Sequence, residues 1–377
     1  MKSIDEINRR IKEKKVICLT ATQAKALVSQ EGPKSLAEKC DIVTTATYSP
    51  MCSSGVFINA GHTNPHMKMQ RVFLDEVQAY GGIATADFYL GATQESDYDH
   101  RYGGAHVICK LVKGEKIKFT AEGTPTDCYP KNHFSKEITI NDLNQVYFYN
   151  PRNCYQNYTA VCNSSQKELN TYMGSVLPDL ASINYAGCGE ISPLLNDPYL
   201  QTIGIGTRIF FCGGDGYISW EGTQFNSEVE RDKKTNLPFR PSATLSITAD
   251  LRQVRPEWIS PIYINGYGVS LYIAIGIAIP VLNLDMARAL SIRNKDIMTE
   301  VYDFASGQTL GTLNYEQLHE NKAVLANKRP TTRTMTKIKQ AHKITEILKT
   351  RIEQGLFELT RPVRRLPIYG KSSPIEQ

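Results

Sequence analysis

A chain of 377 residues, 41% hydrophobic and 21% charged, has the material for a large core in one or two domains and reads as a soluble globular protein. The net charge of +5 is modest and its lysine and arginine surplus lies toward the C-terminus, which argues against a nucleic-acid footprint over the whole surface. Nine cysteines, an odd set without a C-x-x-C pair, and a start unlike a signal peptide point to a reducing cytoplasm, where Asn157-Tyr158-Thr159 and Asn163-Ser164-Ser165 are chance matches to the glycosylation pattern.

Ser3-Ile4-Asp5-Glu6 has the capping-box form, and Ile4, Ile7 and Ile11 recur at helical spacing, so a short amphipathic helix opens the chain. Val16 to Leu19 predicts a strand, Thr22 to Gln30 a helix ended by Gly32, Pro33 to Cys40 a second helix, and Ile42 to Thr47 another strand. Alternation of this kind predicts a parallel or mixed α/β sheet. Further strands are expected at Val107 to Val112, Lys116 to Thr120, Val146 to Tyr149, Thr207 to Phe211 and Ser242 to Ile247, giving a mixed, sheet-rich core with flanking helices and long functional loops. Ile262 to Leu282 is apolar but interrupted by Asn265, Gly266, Gly268 and Pro280, so it reads as a buried strand rather than a membrane span. After the polar stretch from Asn321 to Thr334, the apolar positions Met335, Ile338, Ile344, Ile347, Leu348 and Ile352 predict a C-terminal amphipathic helix stopped near Gly355. The expected division is a catalytic domain over 1–325 and a basic helix and tail over 326–377.

Cys52, in Tyr48-Ser49-Pro50-Met51-Cys52-Ser53-Ser54-Gly55, is a thiol among turn formers just past the expected strand, where open α/β sheets place ligands. The serines and glycine after it can form a turn whose N–H groups face the sulfur and lower its pKa from the free value of about 8.5. Cys128, in Gly123-Thr124-Pro125-Thr126-Asp127-Cys128-Tyr129-Pro130, has a similar polar setting. Two such thiols suggest a pair that trades sulfur, the second resolving a persulfide on the first by forming a disulfide.

These two segments resemble the signature of the homocysteine-biosynthesis family, the L-aspartate semialdehyde sulfurtransferases. The resemblance extends to Lys68-Met69-Gln70-Arg71-Val72, Leu90-Gly91-Ala92-Thr93-Gln94, Tyr102-Gly103-Gly104-Ala105-His106-Val107, Asn150-Pro151-Arg152-Asn153, Tyr155-Gln156-Asn157-Tyr158, Leu194-Leu195-Asn196-Asp197-Pro198, Ile203-Gly204-Ile205-Gly206-Thr207-Arg208 and Trp220-Glu221-Gly222-Thr223-Gln224, about residues 16–320 in all. It implies that Cys52 holds or delivers sulfur to an aldehyde, which is reduced to a thiol with an external two-electron donor. The chain looks like a short form without the CBS domains of many archaeal members, so the resemblance implies a ferredoxin-domain electron donor acting in trans. The same chemistry on sulfoacetaldehyde, giving coenzyme M, stays open, as does a non-catalytic persulfide or Fe–S carrier.

His62, ten residues from Cys52, and His106, after Gly103-Gly104, are candidates to protonate a developing alkoxide, His106 being equally readable as a structural donor. Arg152 and Arg208, then Arg71 and Arg101, are candidates to grip a carboxylate or sulfonate through a guanidinium fork. Cys154, Cys188 and Cys212 stand where the resembled family more often has small residues. Their loop-like neighbours leave a 4Fe–4S cluster open, with three thiolates and one free iron. Cys18, Cys40 and Cys109 read as core. No zinc spacing appears, and Gly204-Ile205-Gly206 and Gly213-Gly214-Asp215-Gly216 fit neither dinucleotide nor P-loop patterns. The partners implied are a small anionic aldehyde and a sulfide or persulfide donor, with no nucleic acid and no membrane; homo-oligomers are open.

Overall fold

The structure is a computed structural model and describes residues 2–367, Ser373 and Ile375. Ser3 caps α1 (Ile4–Lys12) by accepting from the Glu6 N–H at 3.2 Å, and Ile7 and Ile11 are fully buried on its apolar face. β1 (Cys18–Thr20) enters α2 (Ala21–Lys39) through a capping box between Thr20 and Gln23. α2 breaks at Gly32, φ +82°, and Pro33, the break that splits the two helices expected here. β2 (Ile42–Pro50) follows, then β3 (Gly55–Asn59), β4 (Arg71–Leu74), β5 (Val77–Tyr80) and β6 (Asp87–Gly91).

The expected strand at Val107 to Val112 is instead part of α3 (Gly104–Val112). A short continuous apolar run suits a buried helix as well as a buried strand, and its flanks arbitrate. Here the close approach at Gly104, where a Cβ would lie 1.9 Å from the Gly91 carbonyl oxygen, seats the helix on the end of β6. The chain continues through β7 (Ile117–Glu122), β8 (His133–Ile138), β9 (Gln145–Asn153), β10 (Ala160–Cys162), β11 (Leu169–Thr171), β12 (Gly174–Val176), β13 (Ser182–Tyr185) and β14 (Gly204–Ile205). Next come β15 (Arg208–Phe211), β16 (Gly214–Glu221), β17 (Leu245–Asp250), β18 (Ile259–Ile264) and β19 (Gly268–Pro280), then α4 (Leu284–Ala289), β20 (Met298–Asp303) and β21 (Gln308–Asn314). α5 (Tyr315–His319), β22 (Thr331–Thr334), α6 (Ile338–Glu353) and β23 (Arg364–Arg365) complete the described elements.

The fold is mixed α/β. Among the described residues, fourteen strands form one sheet in the order β1-β2-β19-β15-β16-β17-β9-β3-β6-β5-β4-β7-β8, with β18 pairing β19. Within it only β1 and β2 pair in parallel, so the sheet is far more antiparallel than the opening alternation predicts. The five-stranded sheet, β21-β20-β10-β13-β22, adds two parallel pairs.

β19 anchors the large sheet. All thirteen of its residues are buried, because α6 covers one face of it and polar alternation would bury unpaired groups. Gly276 lets α6 approach: a Cβ there would lie 3.0 Å from Ile344 and 3.2 Å from Leu348. Ile344, Leu348 and Ile352 are fully buried, each worth about 1.5–3 kcal/mol against exposure. The described part of the segment expected as a separate basic helix and tail, 326–367, is therefore built into the main core, with β22 paired to β13 and β23 to β14.

Candidate active site

β2 ends at Pro50, and the Met51 N–H holds the Leu271 carbonyl of β19 at 2.8 Å before the chain turns back. The turn closes on Ser54, whose hydroxyl donates to the Met51 carbonyl at 2.7 Å while its carbonyl accepts from the Ala92 N–H at 2.8 Å. β3 then starts at Gly55, where the Tyr89 hydroxyl would lie 2.1 Å from any Cβ. Cys52 is half-buried at the apex. Its Sγ lies 3.2 Å from the hydroxyl of the fully buried Ser270 and also hydrogen-bonds the Tyr267 side chain. The expected cradle of backbone amides is replaced, among the described residues, by these two hydroxyls of the β18–β19 hairpin, because β19 passes directly beneath the turn.

Two compartments meet at the thiol, with Cys52, Ser53, Arg152 and Tyr267 lining both. The inner one, about 370 Å³, lies between the two sheets and is walled by Tyr155, Tyr158 and Tyr172. The outer one, about 480 Å³, adds Thr93, Glu95 and Gly268. Arg152 stands at the end of β9. Its guanidinium has no hydrogen-bond or ion-pair partner among the described residues, and its backbone N–H donates to Asn150 Oδ1 at 2.7 Å. The Nδ2 of that same buried amide donates to Ser54 Oγ at 2.9 Å, so Asn150 ties the thiol turn to the free cation.

The tyrosines form a chain of ring contacts, Tyr155 to Tyr158 at 4.9 Å, Tyr158 to Tyr172 at 6.5 Å and Tyr172 to Tyr267 at 6.2 Å. Burial pushes Tyr155 up to about 12 and raises Tyr158, Tyr172 and Tyr267, the last raised further by the charge of and hydrogen bond to Cys52. All four stay protonated at neutral pH and are therefore donors.

Behind the inner wall, fully buried Lys25 of α2 donates to Asn196 Oδ1 at 2.9 Å and to the Leu290 carbonyl at 3.1 Å. Asn196 in turn donates to the Glu190 and Ser192 carbonyls, shaping the loop from which Ser192, Pro193 and Leu195 face the cavity. Burial lowers Lys25 to about 7. Met335 closes another side, fixed by the hydroxyl of Thr336, which lies 2.6 Å from Ser49 Oγ and accepts from the Gly187 N–H at 2.8 Å.

Of the residues singled out from sequence, Cys52, Arg152 and Cys154 share this cavity. Cys128 does not: it is exposed on the β7–β8 loop, 3.6 Å from Thr126 Oγ1, beside Tyr129, whose ring lies 6.3 Å from His62 and 6.2 Å from His66. The length of β3, five residues or roughly 16 Å, separates the Cys52 turn from the Ala60–His66 segment. The expected thiol pair is thus not a pair within the folded chain, and exposed His62 stays with Cys128 rather than with Cys52. His106 is structural: its Nδ1 accepts from the Gly103 N–H at 3.2 Å, its ring stacks on Tyr102 at 4.9 Å, and burial lowers its pKa.

Arg208 is taken by Asp215 at 2.5 Å and lies 4.5 Å over the Phe357 ring, so it pins the C-terminal tail instead of gripping a substrate. Arg71 pairs with Glu122 at 3.1 Å on the surface, and exposed Arg101 lies over Tyr263 at 5.9 Å. Neither lines the cavity. Cys154 and Cys188 are buried neighbours, Cys188 lying 3.8 Å from Thr47 Oγ1, whereas the Cys212 sulfur accepts from the Ala274 N–H at 3.2 Å on β19. Among the described residues no three His, Cys, Asp or Glu side chains come together as a metal site, so these cysteines do not fit a cluster. Burial pushes Cys188 up to about 12 and raises the other two as well.

Sequence reasoning gave no role to Asn150, Tyr267 or Ser270. Asn150 and Tyr155 lay in motifs already noted, and a serine inside the apolar run of β19 was the one available sign of Ser270.

A half-buried thiol under two hydroxyls shares a cavity of small-molecule size with an unpaired guanidinium, and this marks the candidate active site of an enzyme. The chain belongs to the family described as homocysteine biosynthesis enzyme, sulfur-incorporation, whose profile matches residues 16–359. It is 42% identical, over 97% of its length and 73% of the relative's, to a protein of Methanocaldococcus jannaschii named L-aspartate semialdehyde sulfurtransferase. A protein of Methanosarcina acetivorans with the same name is 39% identical over 100% of this chain and 74% of its own. No solved structure matches the chain significantly. No helix among the described residues is long and apolar enough to cross a membrane.

Proposed function

We propose that this chain is a cytoplasmic sulfurtransferase that converts L-aspartate semialdehyde to homocysteine, the substrate named for its relatives. The observation that supports it most is the shared cavity of Cys52 and the unpaired Arg152. In the overall balance, one aldehyde and one hydrogen sulfide take up two electrons and two protons and give one thiol and one water. Arg152 forks onto the substrate carboxylate, and sulfur held at Cys52 adds to the aldehyde carbon. Tyr267, kept protonated by burial and by the sulfur beside it, gives its proton to the developing alkoxide. Water leaves, and the thioaldehyde takes up two electrons and two protons. If the sulfur arrives as a Cys52 persulfide, two further electrons release it at the sulfide level.

The electron donor in this reading is a ferredoxin-type protein in trans, as the family resemblance implies. The nine free cysteines agree with a reducing compartment. A mere sulfur carrier has no use for a free guanidinium and a second compartment beside its thiol. The test is to incubate reduced protein with sulfide, a low-potential reductant and L-aspartate semialdehyde, and to identify the thiol by mass. Homocysteine is expected, and its absence with wild-type protein overturns the reading.

A further inference from the structure

We propose that Glu95 binds the ammonium group of the substrate, so that Glu95 and Arg152 together select an α-amino acid aldehyde over an aldehyde bearing only an anion. This rests on the sulfurtransferase reading and names what makes the site specific. Glu95 is the acidic side chain that lines the outer compartment, and no acid lines the inner one among the described residues. The compartment thus presents one thiol, one cation and one anion to the same space.

The two charges do not pair. No ion pair joins Glu95 to Arg152, and among the described residues neither side chain has a hydrogen-bond partner. Opposite charges that face one cavity without meeting suit a ligand carrying both complements, because each half-buried charge gains its partner only when that ligand enters. In L-aspartate semialdehyde the carboxylate and the ammonium sit on one carbon, and the aldehyde is two bonds away. A ligand held at both charges turns its third arm toward Cys52. An aldehyde with only a carboxylate or sulfonate leaves Glu95 uncompensated beside an added anion, so the same side chain rejects it.

Glu95 is held in register with the thiol. The Ala92 N–H donates to Ser54 of the Cys52 turn at 2.8 Å, the Gly104 N–H to Gln94 at 2.8 Å and the Ser96 N–H to Tyr102 at 2.9 Å, bracketing Glu95 on both sides. Its carboxylate rests against the β18–β19 hairpin, where Gly268, at φ +129°, has no side chain: a Cβ there would lie 2.6 Å from Glu95 Oε1. That hairpin also provides Tyr267 and Ser270 to the sulfur.

Binding of two unreactive alcohols tests this by calorimetry: L-homoserine, which keeps both charges, and 4-hydroxybutanoate, which lacks the ammonium. Wild-type protein should favour L-homoserine on the order of 30-fold, and Glu95→Gln should reduce that preference to within about threefold without weakening 4-hydroxybutanoate. Glu95→Asp, which keeps the charge, should retain the preference at lower affinity, and it serves if the Gln variant does not fold. Arg152→Lys should weaken both ligands. A wild-type preference below about threefold, or a Glu95→Gln protein that discriminates as wild type does, overturns the proposal while leaving homocysteine formation intact. Wild-type protein that makes no homocysteine instead removes the underlying reading, and the proposal with it.

Discussion

Cys52 and Cys128 look alike in sequence, each a thiol among serine, threonine, proline and glycine, yet they occupy opposite kinds of place. Cys52 sits on a turn whose hydrogen bonds run to buried groups of two strands, β19 and β9, at the mouth of two compartments. Cys128 sits on an exposed hairpin loop with a threonine hydroxyl for company. Turn-forming neighbours mark a loop; they do not say whether the loop caps a core or stands in water. What separates the two thiols is the strand that passes beneath the first.

The sharpest way to break this comparison is to exchange the roles. Cys52→Ser should lower homocysteine formation by about three orders of magnitude or more with the melting temperature unchanged, since a hydroxyl cannot form a persulfide. Cys128→Ser should leave a persulfide on Cys52, read by intact mass after treatment with a sulfur donor. Loss of that persulfide in Cys128→Ser would make the exposed thiol the obligatory first acceptor.

Arginines give the second contrast. Arg152→Lys should raise the apparent KM for the aldehyde about 10- to 100-fold, because an ammonium lacks the planar fork. Arg208→Lys should leave KM within about twofold and instead reduce stability to urea by roughly 1–2 kcal/mol, the half-buried Asp215 having lost one of its two arginine partners. Equal KM shifts in the two variants would erase the distinction drawn between them.

Asn150→Ala removes the donor to the Ser54 hydroxyl, which keeps its own bond to Met51, and strands the Arg152 N–H. A cost of about 1–3 kcal/mol is expected, with kcat/KM reduced about tenfold as thiol and cation lose their common register. The last effect is a slope. Lys25 has a folded pKa of about 7 against its ordinary 10.5, so between those values the unfolded chain holds the extra proton and stability rises with pH. The neutral amine keeps two N–H donors for Asn196 and Leu290, so the loop survives deprotonation. Lys25→Met should flatten the rise between pH 7 and 10 in urea-unfolding curves, and an unchanged slope would place its origin elsewhere.

Local rules made much of the fold legible. Ser3, Gly32-Pro33 and Gly355 mark ends of helices where capping chemistry says they should, and the apolar run before Pro280 is the buried strand expected. What local rules could not supply is partnership over long sequence separation. Val107 to Val112 became a helix through the approach of Gly104 to Gly91, and Arg208 lost its substrate role to Asp215, Arg351 and Phe357. Ser270 came to Cys52 from 218 residues away. Motifs announced that Arg152 and Cys52 mattered, whereas only the pairing of β9 with β3 and of β2 with β19 brought them to one cavity.

The wall made by Met335 and Thr336 has a consequence for how the enzyme is born. The reactive thiol leaves the ribosome early, but the residues that seal its chamber emerge nearly 300 positions later, and α6 must still fold onto β2 and β19 behind them. Until then the chamber lacks a side, and a growing chain cannot enclose a small molecule there. Closure of the chamber therefore waits on a segment that is among the last parts of the chain to be made.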